Sequence, residues 1–345
     1  MENTEKVLVT GGAGFVGSHC VLQLLQKGYK VRTTLRSMGR KDEVIGMLKA
    51  AGITSFDNLE FIETDLTKDD NWAAAVKNCK YVLHIASPFL SQMPKDENEM
   101  IRPAVDGTIR VLKASKNAGV KRVVVCSNFG AVGYSHKDPA TVITEKEWTN
   151  PDQKGMTAYN KSKVLAERAA WDFIKNEGGD LELAVINPVF ILGPSLGPDF
   201  SSSYHILELL LSGSMKAAPN INFNIIDVRD VADLHIRAMT NPEANGQRFI
   251  GMAGGAMSLP QIAGLLKKKM PDIAQKVSTR VLPDWVVRVA ALFSAQAKTA
   301  ASILGINRNV SNEKARKILG WNPIANNEEA ILASVGSMIK FGKLK

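Results

Sequence analysis

Short apolar runs rich in β-branched residues alternate with longer stretches of helical periodicity through the first half of the chain. The runs at 7–9, 31–35, 59–62, 81–85, 122–126 and 183–187 predict strands. The stretches near 15–27, 41–51, 69–77, 99–118 and 157–177 predict helices between them. The apolar runs are nearly continuous, as in strands buried on both faces. That alternation predicts an α/β protein with a parallel sheet covered by helices on both sides. Gly28 stands where the first helix should stop.

After Pro188 the pattern changes. Gly193-Pro194-Ser195-Leu196-Gly197-Pro198 is a turn-rich junction, and helical periodicity dominates beyond it. Residues 1–190 are therefore expected to form a nucleotide-binding domain, and 191–345 mainly a smaller, mostly helical lobe for substrate. A strand near 223–226 and a helix near 230–240, within a returning segment at 220–240, are expected to rejoin the main sheet. The apolar stretch 285–293 contains Arg288 and is too short to span a bilayer. It predicts an amphipathic helix packed on the body of the protein.

Composition narrows the class. Of 345 residues, 45% are hydrophobic and 22% charged, which fits a globular chain. The formal net charge of +9 raises the question of nucleic acid. The basic residues, however, are scattered or sit on amphipathic helices such as the one ending in Lys267-Lys268-Lys269, so no nucleic-acid partner is expected. Cys20, Cys79 and Cys126 lie in apolar runs without metal-ligand spacing, so neither a metal site nor a disulfide framework is expected. The N-terminal residues lack a signal-peptide core, and a cytoplasmic protein with no membrane segment is the expectation.

The candidate chemistry starts at Thr10-Gly11-Gly12-Ala13-Gly14-Phe15-Val16-Gly17, directly after the first strand and opening the first helix. Glycines 11, 14 and 17 suit a tight turn, close approach of a pyrophosphate, and close packing of helix on strand. The helix N-terminus offers free N–H groups to the phosphates. An NAD site usually carries an acid at the end of the second strand. Here the chain reads Thr33-Thr34-Leu35-Arg36-Ser37, and the Arg36 guanidinium suits the 2′-phosphate of NADP(H). Arg32, Arg40 and Lys41 are near in sequence. Asp65-Leu66 and Ala86-Ser87-Pro88 follow later strands, where Asp65 can accept from the adenine amino group and small residues let a dinucleotide lie across the sheet edge.

Tyr159 and Lys163 stand at i and i+4 in a helix and share a face. Carbonyl reduction needs a proton donor at the oxygen as hydride reaches the carbon. An ammonium nearby favours the phenolate and makes the tyrosine a usable acid or base near neutral pH. A second donor, to polarise the carbonyl, is expected at the end of the fifth strand, where Ser127 and Asn128 both carry a suitable group. Phe89, Phe129, Ile191 and Tyr204 are candidate pocket residues by position.

With these motifs in order, the chain resembles the extended short-chain dehydrogenase/reductases, in particular the dihydroflavonol 4-reductase, cinnamoyl-CoA reductase and yeast-type methylglyoxal (ketone) reductase branch. The glycine loop, the 31–36 strand, Asp65-Leu66, Ala86-Ser87-Pro88, the Tyr159/Lys163 pair, Asn187-Pro188, Gly193-Pro194, 228–232 and the closing Leu319-Gly320-Trp321 carry the likeness over almost the whole chain. The resemblance implies a Rossmann-type, doubly wound sheet, NADPH as cofactor and reduction of an aldehyde or ketone. It implies Tyr159 as proton donor, Lys163 on the nicotinamide ribose, Pro188 and Val189 beside the nicotinamide, and Ser202 or Ser203 near the cofactor. It also exposes a departure. Relatives usually read Thr-Ser-Ser where this chain reads Cys126-Ser127-Asn128, so Asn128 falls on the usual catalytic serine and either residue can take that role. The competing expectations are a nucleotide-sugar epimerase or dehydratase holding NAD tightly, and a non-catalytic NADPH-sensing protein. Either a monomer or a homodimer is compatible.

Overall fold

The computed structural model describes residues 4–88 and 96–344. Its centre is a seven-stranded sheet in which every neighbouring pair is parallel. The first six strands are β1 (Lys6–Thr10), β2 (Lys30–Leu35), β3 (Leu59–Glu63), β4 (Tyr81–His84), β5 (Arg122–Cys126) and β6 (Glu182–Pro188). Each falls on one of the apolar runs. The helices between them are α1 (Phe15–Gln26), α2 (Lys41–Ala50), α3 (Trp72–Val76), α4 (Asn98–Asn117) and α5 (Ala158–Glu177).

Beyond β6 the chain makes β7 (Phe190–Leu192), α6 (Tyr204–Leu211), β8 (Ala218–Pro219), β9 (Asn222–Asp227), α7 (Val228–Thr240), β10 (Gln247–Gly251), β11 (Ala256–Ser258) and α8 (Leu259–Lys269). It closes with β12 (Val281–Leu282), α9 (Asp284–Ala290), α10 (Ala295–Ile303), α11 (Glu313–Leu319) and α12 (Asn327–Lys340). The sheet order is β3-β2-β1-β4-β5-β6-β10. It reverses between β1 and β4, which opens a crevice at the carboxyl ends of the strands, where open α/β sheets bind ligands.

Both faces of the sheet are dry. Val7, Val9, Val31, Leu83 and Val124 pack with α1 and α7, while Leu8, Val82, Val123 and Val125 pack with α3, α4 and α5. Each such side chain contributes roughly 1.5–3 kcal/mol through burial. The lobe has its own core around Leu207, Leu210, Ile262 and Ile331. Among the described residues no helix is long and apolar enough to cross a membrane.

Two expectations are corrected. The strand at 223–226 exists, within β9, but it does not rejoin the main sheet: it pairs with β7 and β11 in a separate three-stranded sheet. The seventh main strand is β10, parallel to β6. The helix that follows β9, α7, does pack on the main body, against α1, β5 and β6. The 285–293 stretch is helical only to Ala290 and is not packed on the body along its length. Val287 is buried, whereas Trp285 is 68% and Phe293 85% exposed.

Candidate active site

The turn after β1 is built by its neighbours on β2. The Thr34 hydroxyl accepts from Gly11 N–H at 3.1 Å, and Gly12 N–H donates to the Thr34 carbonyl at 3.2 Å. Gly11 has φ of +74°, where a side chain is strained. A Cβ on Gly17 would lie 2.2 Å from the Gly11 carbonyl oxygen, so α1 can approach the turn only with glycine there. Gly14 differs: its φ is −82° and a Cβ would meet only the Gly11 oxygen at 3.3 Å. Protein packing alone does not demand a glycine at 14. The space it leaves opens onto the crevice, as a pyrophosphate requires.

The crevice has a volume of about 740 Å³ and runs from this turn to the 199–202 segment of the lobe. Gly11, Gly14, Phe15, Val16 and Gly17 line it, with Arg36, Leu66, Ala86 and Ser87. Arg36 is exposed on its rim and forms no ion pair among the described residues, which leaves its guanidinium for a phosphate. Arg40 also lines the crevice, bonded to Glu43 and to Asp199 across the gap at 2.6 Å. That bridge joins the phosphate end of the nucleotide domain to the lobe, and nothing in the local sequence announces it.

Several expected contacts are corrected. Thr10 is fully buried and does not line the crevice: its hydroxyl accepts from Ile85 and Ala86 N–H at 3.0 and 2.9 Å. Because that oxygen's own proton then points to His84 Nδ1, 3.0 Å away, the imidazole carries its hydrogen on Nε2. Thr10 pins β1 to β4. Asp65 stands beside the crevice but its Oδ1 accepts from Thr67 N–H and hydroxyl, both at 2.8 Å. Those bonds hold its carboxyl below the ordinary range, with Arg36 adding a smaller push. Pro88 flanks a separate small cavity behind Ser87, not the crevice. Arg32 is consumed by Glu60 and by the backbone carbonyls of Ala74, Ala75 and Lys77 at the end of α3, and Lys41 stands over the Phe61 ring. Tyr204 is core: it is fully buried, donates to the Gly193 carbonyl and stacks on Phe200. Phe89 lies outside the described residues.

The inner end of the crevice continues into a second cavity of about 390 Å³. Thr157 caps α5 by accepting from Asn160 N–H at 3.2 Å, which fixes the first helical turn. Tyr159 and Lys163 leave that turn on one face and both line the cavity, Tyr159 36% exposed and Lys163 buried. Neither the phenol nor the ammonium has a hydrogen-bond or ion-pair partner among the described residues. Ser127 and Asn128 line the same cavity, as do Pro188, Val189, Phe129, Ile191, Ser202 and Ser203. The Ser127 hydroxyl is buried without a partner among the described residues. The Asn128 side-chain Oδ1 caps the next turn by accepting from Ala131 N–H at 3.2 Å, and its NH2 group has no partner among the described residues.

Behind these residues lies a network that local sequence does not reveal. Glu167 receives Arg248 at 2.5 Å on one oxygen and Asn187 at 2.8 Å on the other, and Asn187 also donates to the Asn128 carbonyl at 3.2 Å. The Arg248 guanidinium lies 3.7 Å from the centre of the Trp148 ring. The network thus ties α5 to the ends of β5 and β6.

The profile of the NAD dependent epimerase/dehydratase family matches residues 7–251. The chain belongs to that family. Within the epimerase/dehydratase family, cinnamoyl-CoA reductase 1 of Petunia hybrida is 37% identical over 270 residues, 77% of this chain and 78% of the relative. Among solved structures, yeast methylglyoxal/isovaleraldehyde reductase Gre2 complexed with NADPH matches with a TM-score of 0.80 at 26% identity, covering 98% of this chain and 99% of that one. Gre2 in complex with NADPH from Candida albicans gives a TM-score of 0.79 at 29% identity, with the same coverage of each chain.

Proposed function

We propose that this protein is an NADPH-dependent reductase of small aldehydes or ketones. The observation that carries the reading is the convergence of an unpartnered phenol and an unpartnered ammonium on a cavity that opens from a glycine-walled, arginine-rimmed crevice. The crevice residues suit a dinucleotide with a 2′-phosphate. Gly14 leaves room for the pyrophosphate, the start of α1 gives it N–H donors, and Arg36 takes the extra phosphate. NADPH, when bound, supplies the hydride for the carbonyl carbon.

This chain's residues handle the oxygen. Tyr159 donates the proton that the developing alkoxide takes up. Lys163 holds the nicotinamide ribose and, as a buried cation, favours the phenolate that Tyr159 leaves behind. The Asn128 NH2 polarises the carbonyl, because its own oxygen is anchored to Ala131 and its amide plane is fixed. Ser127 is the second candidate for that role, on the strength of its unsatisfied hydroxyl. Pro188 and Val189 form the wall beside the nicotinamide. The absence of an acid after β2 disfavours a tightly held NAD and the epimerase reading with it.

Turnover with NADPH and a panel of aldehydes, 2-oxo compounds and ketones tests the assignment. Tyr159→Phe should lower kcat by roughly 10²–10⁴ while NADPH affinity stays unchanged. An active Tyr159→Phe enzyme rejects the mechanism. Asn128→Ala should lower kcat more than Ser127→Ala, and the reverse order transfers the polarising role to the serine.

A further inference from the structure

The inner cavity carries one cation that the chemistry above does not use. Arg308 lies between α10 and α11, and its side chain lines the cavity with Tyr159, Lys163 and Phe129. Its guanidinium stands 5.9 Å from the centre of the Phe129 ring and 5.6 Å from that of Tyr134. Those two rings meet edge to face. Arg32, Arg122 and Arg248, near the sheet, are each neutralised by a carboxylate. Arg308 forms no ion pair among the described residues.

Its position is built, not incidental. The Arg308 carbonyl accepts from Asn224 Nδ2 at 3.1 Å. Asn307 donates to the Asp138 and Thr141 carbonyls at 2.6 and 2.7 Å. Ile143 exchanges backbone bonds with Asn309 and Ser311. The segment is therefore held on both sides. Asn224 itself is 1% exposed, lines the same cavity, and its Oδ1 has no partner. The unpaired guanidinium thus faces a cavity whose apolar wall includes Phe129, Ile191, Phe223 and Ile303. A cation placed over aromatic faces is partly stripped of water, and an anion in the cavity restores the lost interaction.

We propose that Arg308 binds a carboxylate carried by the substrate, so that the enzyme reduces oxo acids or aldehyde acids to hydroxy acids. The proposal rests on the reductase reading above. Among the described lining residues the only other cation is Lys163, which the reaction occupies, so the proposal has one guanidinium hold the anion. A carboxylate matches that fork with two parallel bonds, whereas a phosphate dianion or diphosphate calls for more positive charge. The step balances without a further reactant. Hydride from NADPH bonds to the carbonyl carbon, the C=O π pair moves to oxygen, and that oxygen takes the Tyr159 proton. The carboxylate is unchanged, NADP+ leaves, and solvent returns the proton to Tyr159.

The test compares 2-, 3- and 4-oxo acids with their methyl esters as substrates for the NADPH-loaded enzyme and for Arg308→Met. The wild type should favour an acid over its ester by roughly 10–100-fold in kcat/KM at one chain length. Arg308→Met should lower kcat/KM for that acid by about 10²-fold, mainly through KM, and leave the ester within about threefold. Unchanged NADPH affinity in the variant confirms that it is folded. Esters reduced as well as acids at every chain length, or acid and ester slowed alike by the variant, overturn the proposal. If the wild type reduces neither class nor any member of the aldehyde and ketone panel, the reductase reading fails by itself. The anion site is then judged by calorimetric titration of the NADPH-loaded protein with hexanoate and hexanamide. Hexanoate binding that Arg308→Met abolishes upholds the site, and equal binding of acid and amide overturns it.

Discussion

At the scale of single residues, charge is allocated by what each group can reach. Arg32 within β2 and Arg36 just past its carboxyl end are four positions apart, yet Arg32 is spent on Glu60 and carbonyls while Arg36 stands free on the crevice rim. Of the two, Arg36 alone lines the crevice, and the reading proposed above gives it the 2′-phosphate. Arg36→Glu should therefore raise KM for NADPH by about 10²-fold or more, since it removes a charged contact and adds repulsion. KM for NADH should change little, and steady-state kinetics with both cofactors checks the difference. An equal loss for both would place the 2′-phosphate elsewhere. Glycines 11, 14 and 17, Arg36, Tyr159 and Lys163 line the crevice and its inner cavity, and each is positioned by its own backbone place or helix face, which local sequence can show. Local sequence misplaced Thr10 and Tyr204, whose polar atoms are satisfied by groups that only folding brings near. It missed Arg308 for the same reason: a lone arginine in an irregular segment has no pattern to betray it.

At the scale of elements, the Tyr159–Lys163 face of α5 is anchored one turn further along that same face. Glu167 lies one turn beyond Lys163 and is fully buried against Arg248 of β10. Breaking a buried pair leaves one charge uncompensated, at a cost of about 3–5 kcal/mol. Arg248→Met should lower unfolding stability by that order, read as a shift of the urea midpoint. It should also depress kcat, because Asn187 joins Glu167 to the Asn128 backbone. A variant as stable as the wild type would show that the pair does not anchor α5. The first six strands and five helices were legible because burial on two faces writes itself as short apolar runs. β10 was not. Its sequence, Gln-Arg-Phe-Ile-Gly, contains a charge that is tolerated only because Glu167 and Trp148 receive it.

At the scale of the molecule, three imidazoles are buried as neutral groups. Burial pushes His19 and His235 down to about 4, and burial with Lys163 nearby pushes His84 to about 3, from an ordinary value of 6.5. The unfolded chain thus binds their protons more readily than the fold. Their contribution is complete above pH 6.5 and is lost as pH falls toward 4. Asp230 acts in the opposite sense. Burial raises it to about 6, so the fold takes up its proton first and gains stability as pH falls from 6 toward 3.8. Burial raises Glu145 in the same sense as Asp230, but the three imidazoles are shifted furthest, so unfolding takes up protons near pH 5 and stability falls as pH falls there. The urea midpoint should fall steeply between pH 6 and 4, and His84→Gln should flatten that slope. A midpoint independent of pH in that range would show that the imidazoles are hydrated in the folded state.

What the amino-acid order determined by itself was everything that depends on near neighbours. It set the alternation that makes a parallel sheet, the turn that only glycine permits, and the helical spacing that puts a phenol and an ammonium on one face. Tertiary structure decided partnership. β9 has the composition of a core strand, yet β7 and β11 claim it, because β6 turns at Val189 and leaves its own edge to β10. In the same way, Arg40 reached Asp199 and Arg308 came to face the cavity across long stretches of chain. Hydrogen bonds and ion pairs act over a few ångströms of space, whatever the separation along the chain, so such partners exist only once the layers have closed.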